Sequence, residues 1–122
     1  MGPPDTLVYL LLRTAVPEYE VFARVALSTF VSAEGADAET RRRLSQTPVD
    51  FLICDREMRA VVAIELDVAG RAEMSGERRI RAETLQAAGI RLVRLNAAAL
   101  PRRAEARSLI VGGASAPGPA RP

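Results

Sequence analysis

Short apolar segments separated by polar turns are the main pattern of this chain. They predict four β-strands, because runs of this length rich in Val, Ile and Leu and bounded by polar residues are typical of strands. The predicted strands cover residues 18–31, 49–55, 60–67 and 90–96. Residues 56–59 form a short polar turn between the second and third strands. We therefore expect those two strands to pair antiparallel.

Helical segments alternate with these strands. They are predicted at residues 6–13, 77–88 and 101–111, with one further helical stretch at 38–44 inside a polar loop. Pro17 ends the first helix, and Gly89 is a favourable residue just after the second. A helix joins the third and fourth strands, which predicts a parallel crossover. The chain is therefore expected to be an α/β domain with a mixed sheet.

The 122 residues are enough for one small domain, expected at residues 1–110. Residues 111–122 are rich in Gly, Pro and Ala and are expected to be a disordered tail. The net charge is +2, and its 17 basic residues are arginines. Arg is suited to bidentate phosphate contacts, so this composition is compatible with a nucleic-acid partner.

Residue types that are missing or rare exclude several kinds of active site. The chain has no His, which excludes Ser-His-Asp and Cys-His catalysis and His-containing zinc sites. Its single cysteine, Cys54, forms no internal disulfide or Cys-rich zinc site and is expected to be a small buried hydrophobe. Any metal would need oxygen ligands, which favours Mg²⁺ or Mn²⁺.

The apolar segment near the N-terminus is too short to span a bilayer and contains Arg13. No basic region precedes it, so it is a poor signal peptide. These features predict a protein of the bacterial cytoplasm with no membrane partner.

Acidic residues interrupt the two central strands. If residues 56–59 form a four-residue hairpin loop, Asp50 lies opposite Glu65, and Asp67 shares their face. Like charges placed this closely destabilise a sheet unless they are compensated. A divalent cation would compensate them, and so would salt bridges to Arg78, Arg79 or Arg94.

Three motifs in this region carry a resemblance to a known family. The segments "VDF", "IELD" and "AAGIRLVRL" resemble, at their spacing, a family of bacterial domains of unknown function in the PD-(D/E)XK restriction-endonuclease-like superfamily. The similarity covers about residues 7–95. It implies a restriction-endonuclease-like α-β-β-β-α-β core with a mixed central sheet.

The resemblance also implies roles for individual residues. Asp50 and Glu65 would hold Mg²⁺ or Mn²⁺, which activates water for attack on a DNA phosphodiester. Asp67 stands where many nucleases of the superfamily have a catalytic Lys, and it is grouped with Asp50 and Glu65 as catalytic. Glu20 is a candidate outer ligand. The implied function is a divalent-metal-dependent nuclease, a hydrolase acting on DNA.

The chain departs from the family pattern at several positions. Arg71 stands where the family has His. Arg78, Arg79 and Arg81 lie near the positions at which the family's helix has Asp and Lys. We expect these four arginines to contact nucleic-acid phosphates. The alternative function is a catalytically inactive module with a nuclease fold that binds nucleic acid, a fused domain or a protein partner. A third is a small structural domain whose acids are neutralised by Arg.

Overall fold

The fold is a single four-stranded sheet with helices on both sides. A computed structural model describes residues 3–32, 34–67 and 75–112. The elements are α1 (Pro3–Ala15), β1 (Glu20–Ala26), α2 (Leu27–Phe30), α3 (Ala38–Gln46), β2 (Pro48–Cys54), β3 (Ala60–Asp67), α4 (Ser75–Ala87), β4 (Arg91–Asn96) and α5 (Arg103–Arg107), which a π-helical turn (Ser108–Gly112) extends.

The sheet is mixed, as predicted. Its strand order is β1-β2-β3-β4; β2 pairs antiparallel with both β1 and β3, and β3 pairs parallel with β4. Helix α4 makes the crossover between the two parallel strands. Gly89 follows α4 with φ of +76°, a conformation that glycine adopts readily and other residues avoid.

Each face of the sheet has its own hydrophobic core. The first core joins α1 and the π-helical turn to one face of the strands and includes Val8, Leu12, Phe51, Ile53, Ile64 and Ile110. The second core joins α2, α3 and α4 to the other face and includes Leu27, Leu44, Leu52, Ala63 and Leu85. Within residues 51–54 of β2 and 62–66 of β3, alternate residues therefore enter opposite cores, as the period of two requires.

The predicted first strand was too long. β1 ends at Ala26, and residues 27–30 form the short helix α2. The Leu27 amide donates to the Thr47 carbonyl, and the Leu27 side chain is fully buried in the second core. Alternation of apolar residues alone does not reveal this turn, because Leu27 continues the same pattern.

The helix predicted within the polar loop is confirmed as α3. Asp37 caps it by accepting a 2.8 Å hydrogen bond from the Thr40 amide.

The β2–β3 hairpin differs from the predicted four-residue loop. Asp55 and Arg59 are joined by a hydrogen bond, and Met58 adopts φ of +64°, so the loop has three residues with the last in the left-handed region. A register shift follows, and Val61 has no partner in β2. The shorter loop and the extra residue compensate each other, so Phe51 pairs with Ile64 in the expected register.

Some predictions fall outside the described residues. Residues 113–122, most of the predicted tail, are among them, whereas Val111 and Gly112 belong to the π-helical turn. Residues 68–74, which include Arg71, also lie outside. None of the helices in the described ranges has the length and apolar character needed to span a bilayer.

Candidate functional site

Glu65 is a buried carboxylate in the middle of an apolar strand. β3 runs through both cores, and the Glu65 residue is only 4% exposed. Its parallel register partner on β4 is Arg94, whose Nε donates a 2.7 Å hydrogen bond to Oε1 of Glu65. The strand pairing itself thus supplies the first compensating charge.

Helix α4 supplies two further arginines. Arg78 and Arg81 are three residues apart and therefore lie on one side of the helix. Arg81 Nη1 donates to Glu65 Oε2 at 2.6 Å, and Arg78 Nε lies 3.6 Å from the same oxygen. Glu65, Arg78, Arg81 and Arg94 together are called the Glu65 cluster below.

Arg81 joins three elements of the fold. Besides Glu65 on β3, its Nε donates to the Pro48 carbonyl on β2 at 3.1 Å, and its Nη2 donates to Glu77 on α4 at 3.2 Å. The Arg81 side chain is only 6% exposed. This arginine is therefore part of the interior, between helix and sheet.

The inward side of α4 differs from the sequence interpretation. Its apolar and small residues Ile80, Thr84, Ala87 and Ala88 predict an inward side with the arginines turned away. In the structure Leu85 is fully buried, and Arg81, one turn earlier, is buried as well. The Glu65 carboxylate provides a partner for a guanidinium at that point, so a charged residue occupies a position that periodicity assigns to solvent.

Asp50 lies where both of its neighbouring strand ladders are interrupted. Its Oδ2 accepts a 2.7 Å hydrogen bond from the Leu66 amide. The register of β1 and β2 puts Asp50 opposite Arg24, but these two residues are left out of the strand pairing. The backbone of Arg24 has φ of +53°. Arg24 Nη1 lies 3.9 Å from Asp50 Oδ1. Left-handed backbone in a non-glycine residue is strained and often found at functional sites.

Glu65 lies on the face covered by α4, because Ala63, two residues earlier on β3, belongs to the second core. In β2 the alternation is interrupted at Asp50, since Val49 and Leu52, three residues apart, both enter the second core. Asp67 lies on the same face as Glu65 by the alternation of β3, at the end of that strand, and is exposed.

Charge compensation keeps Glu65 ionised. Burial by itself raises the pKa of Glu65, but the hydrogen bond from Arg94 and the charges of Arg81, Arg94 and Arg78 outweigh it. The net pKa of Glu65 lies below the ordinary value of a glutamate. At neutral pH the cluster therefore contains one carboxylate and three guanidinium groups.

Two other predicted site residues lie apart from the cluster. Arg79 is exposed and lines a groove between α3 and α4 together with Arg43. Glu20 begins β1 and faces Cys54, whereas Asp50 faces Arg24, four residues along. That separation is roughly 13 Å along the strand, and the role of Glu20 as an outer ligand stays a prediction.

The residues as arranged do not fit a divalent metal ion. Across the described ranges, no three acidic or cysteine side chains are placed to hold one. Guanidinium groups contact both carboxylate oxygens of Glu65, and the Leu66 amide donates a hydrogen bond to Oδ2 of Asp50. Arginine, the alternative compensation considered from the sequence, is what the structure contains.

Two of the arginines around these acids were not identified from the sequence as partners of the acids. Arg81 was placed among the outward phosphate contacts, and Arg24 was not singled out. The signal for Arg24 is its register position opposite Asp50, which requires knowing how β1 pairs with β2.

Comparison with known proteins finds one family. A family model described as "Protein of unknown function (DUF2726)" matches residues 1–112. No curated protein matches the chain. No solved structure matches it either.

Proposed function

We propose that this chain, which belongs to the DUF2726 family of proteins of unknown function, is a nucleic-acid-binding module with a restriction-endonuclease-like core. Its arginines would contact the phosphate backbone without a metal ion. The observation that carries this proposal is the Glu65 cluster, where Arg78 and Arg94 are anchored by a buried carboxylate yet remain 45% and 49% exposed.

Anchoring of this kind favours phosphate binding. An arginine loses less conformational freedom on binding when its side chain is already held in place. Arg94 uses Nε for Glu65, and among the described residues its two terminal nitrogens have no hydrogen-bond partner. A planar guanidinium with exposed nitrogens matches phosphate geometry. Arg24, which is more exposed still, adds a third positive group near Asp50.

The expected ligand is duplex DNA, contacted through its backbone. Proteins that bind single strands rely on aromatic side chains to stack bases, and this chain has no Trp and only two Tyr and three Phe. Phosphate contacts by arginine carry no base information. Binding should therefore be sensitive to salt and insensitive to sequence.

The element order supports the restriction-endonuclease-like core. Leaving aside α2 and α3, the chain runs α1, β1, β2, β3, α4, β4 through a mixed sheet. This is the order that the motif resemblance implies.

Fluorescence anisotropy with a short labelled DNA duplex tests the proposal. Arg78→Gln and Arg94→Gln should each weaken binding, and each should reduce the slope of log affinity against log salt by about 1. Arg103→Gln is the matched control, because Arg103 is exposed on α5, the helix that packs against α1 on the other side of the sheet. EDTA should leave binding unchanged.

Either of two results would contradict this function. One is absence of salt-dependent binding by the wild type. The other is an equal loss of affinity in Arg94→Gln and Arg103→Gln, which would mean that overall charge and not this face determines binding.

Metal-dependent cleavage of DNA is the second candidate function. It is favoured by the hydrogen bond from the amide of Leu66, the residue after Glu65, to Asp50, beside strained backbone at Arg24. A metal ion would have to displace the guanidinium groups that contact Glu65. Incubating plasmid with the protein in Mg²⁺ or Mn²⁺ tests it. Cleavage that disappears in Glu65→Gln would establish the nuclease. Plasmid that stays intact under all conditions would contradict the nuclease and leave nucleic-acid binding as the proposed function.

A further inference from the structure

We infer that the guanidinium group of Arg81 occupies the position at which the surrounding oxygen atoms would otherwise bind a divalent ion. This inference concerns a site inside the fold and does not depend on whether the chain binds nucleic acid. It makes Arg81 a positioning residue that replaces a metal ion.

The atoms around Arg81 are the kind that hard cations bind. A backbone carbonyl from Pro48 and carboxylate oxygens from Glu65 and Glu77 lie 2.6–3.2 Å from its three nitrogens. Mg²⁺, Mn²⁺ and Ca²⁺ take carbonyl and carboxylate oxygens as ligands. Three oxygens from β2, β3 and α4 thus converge on one positive group.

Burial makes a positively charged partner for Glu65 necessary. Glu65 and Arg81 are each about 95% removed from solvent. An isolated ionised carboxylate in such an environment is strongly unfavourable, so it must be paired or must bind a metal. Arg94 and Arg78 contact Glu65 from half-exposed positions, whereas Arg81 alone also reaches Pro48 and Glu77.

Arg81 is also held more firmly than a mobile counter-ion would be. Each of its three guanidinium nitrogens donates to a different acceptor, and it extends from the middle of a thirteen-residue helix. The wild type should therefore show no saturable, Glu65-dependent binding of divalent ions. Removing the guanidinium while keeping the oxygens should create that binding.

Isothermal titration with Mn²⁺, together with melting curves in EDTA and in Mn²⁺, tests the inference. The variants are Arg81→Ala, Arg81→Lys and the double variant Arg81→Ala with Glu65→Gln. Arg79→Ala is the matched control, since Arg79 is the same residue type on the same helix but lines the outer groove. Circular dichroism in each buffer establishes whether a variant is folded.

The expected results separate the effect of the Arg81 charge on Mn²⁺ binding from the effect of its side-chain size. Arg81→Ala should bind Mn²⁺ at least about tenfold more tightly than the wild type, and Mn²⁺ should raise its Tm. Arg81→Lys keeps a positive charge and should show no gain. The double variant should lose the gained binding, and Arg79→Ala should behave as the wild type.

Three outcomes would overturn the inference. The first is Glu65-dependent Mn²⁺ binding by the wild type. The second is a folded Arg81→Ala variant without improved Mn²⁺ binding. The third is an Arg81→Ala variant that stays unfolded with and without Mn²⁺, since a metal that can replace the guanidinium should restore the fold. None of these outcomes bears on the DNA affinity measured with Arg78→Gln and Arg94→Gln.

Discussion

The two faces of the sheet are built from alternate residues of the same strands, yet they differ in chemistry. The face under α1 is apolar, with Phe51, Ile53 and Ile64 fully buried. The face under α4 is equally apolar at Leu52 and Ala63 and then carries Glu65 and Asp67 toward one end, where Asp50 of β2 accepts a hydrogen bond from the Leu66 amide. The first face stabilises the fold, and the second holds a charged site.

Three consecutive residues of β3 illustrate the difference. Ile64 and Leu66 enter the first core, while Glu65 between them contacts three arginines on the opposite side. Apolar burial stabilises in proportion to area, whereas a buried ion pair often gives no net stabilisation over a well-packed apolar pair. The charged groups of the α4 face are therefore weaker evidence of a stabilising role than the apolar residues of the α1 face.

Removing apolar volume from the first face should have the largest effect on stability. Phe51→Ala is expected to lower the free energy of unfolding by about 3–5 kcal/mol, because the ring is fully buried. Urea unfolding measures the change. Phe22→Ala, at the register partner of Leu52 on β1, is the matched control, and its half-exposed ring should give a much smaller loss. Similar losses in the two variants would mean that the burial of the two rings does not differ as described.

Acid titration should reveal the charged face. The folded-state pKa of Glu65 lies below its unfolded value, mainly through Arg94 and Arg81, which outweigh desolvation. Its stabilising contribution is therefore complete above the unfolded pKa and disappears as pH falls through the folded one.

The measurement is the difference in unfolding free energy between wild type and Glu65→Gln as a function of pH. We expect that difference to be constant from neutral pH down to roughly pH 5 and to shrink at lower pH. Asp37 and Asp55, whose pKa values are also lowered, are present in both proteins and cancel. A difference that grows on acidification would contradict the lowered pKa.

The smallest expected effect is at the edge of the charged face. Arg24 has φ of +53°, which glycine adopts without strain. Arg24→Gly should be about 0.5–1 kcal/mol more stable than Arg24→Ala, because both lose the side chain but only alanine keeps the Cβ clash. Thermal or urea unfolding of the two variants measures it, and an advantage for alanine would contradict the left-handed conformation. Both should lose DNA affinity equally under the proposed function.

Much of the architecture followed from local patterns. β3 begins and ends at the predicted residues, and the antiparallel hairpin and parallel crossover are confirmed. The register that the predicted hairpin implies is found at Phe51 and Ile64, next to Asp50 and Glu65, for a reason that the sequence did not show. A three-residue loop and the bulge at Val61 offset each other.

The sequence by itself determined which residues can share a face, because the period of a strand is two and is a local property. It thereby placed Glu65 and Asp67 on one face, predicted Asp50 beside them from an assumed hairpin loop, and left two kinds of compensating cation open. Tertiary structure decided between them. The rotation of α4 brings Arg81 inward, and the β3–β4 register sets Arg94 beside Glu65. Both depend on contacts between residues distant in the chain, for which local periodicity carries no signal.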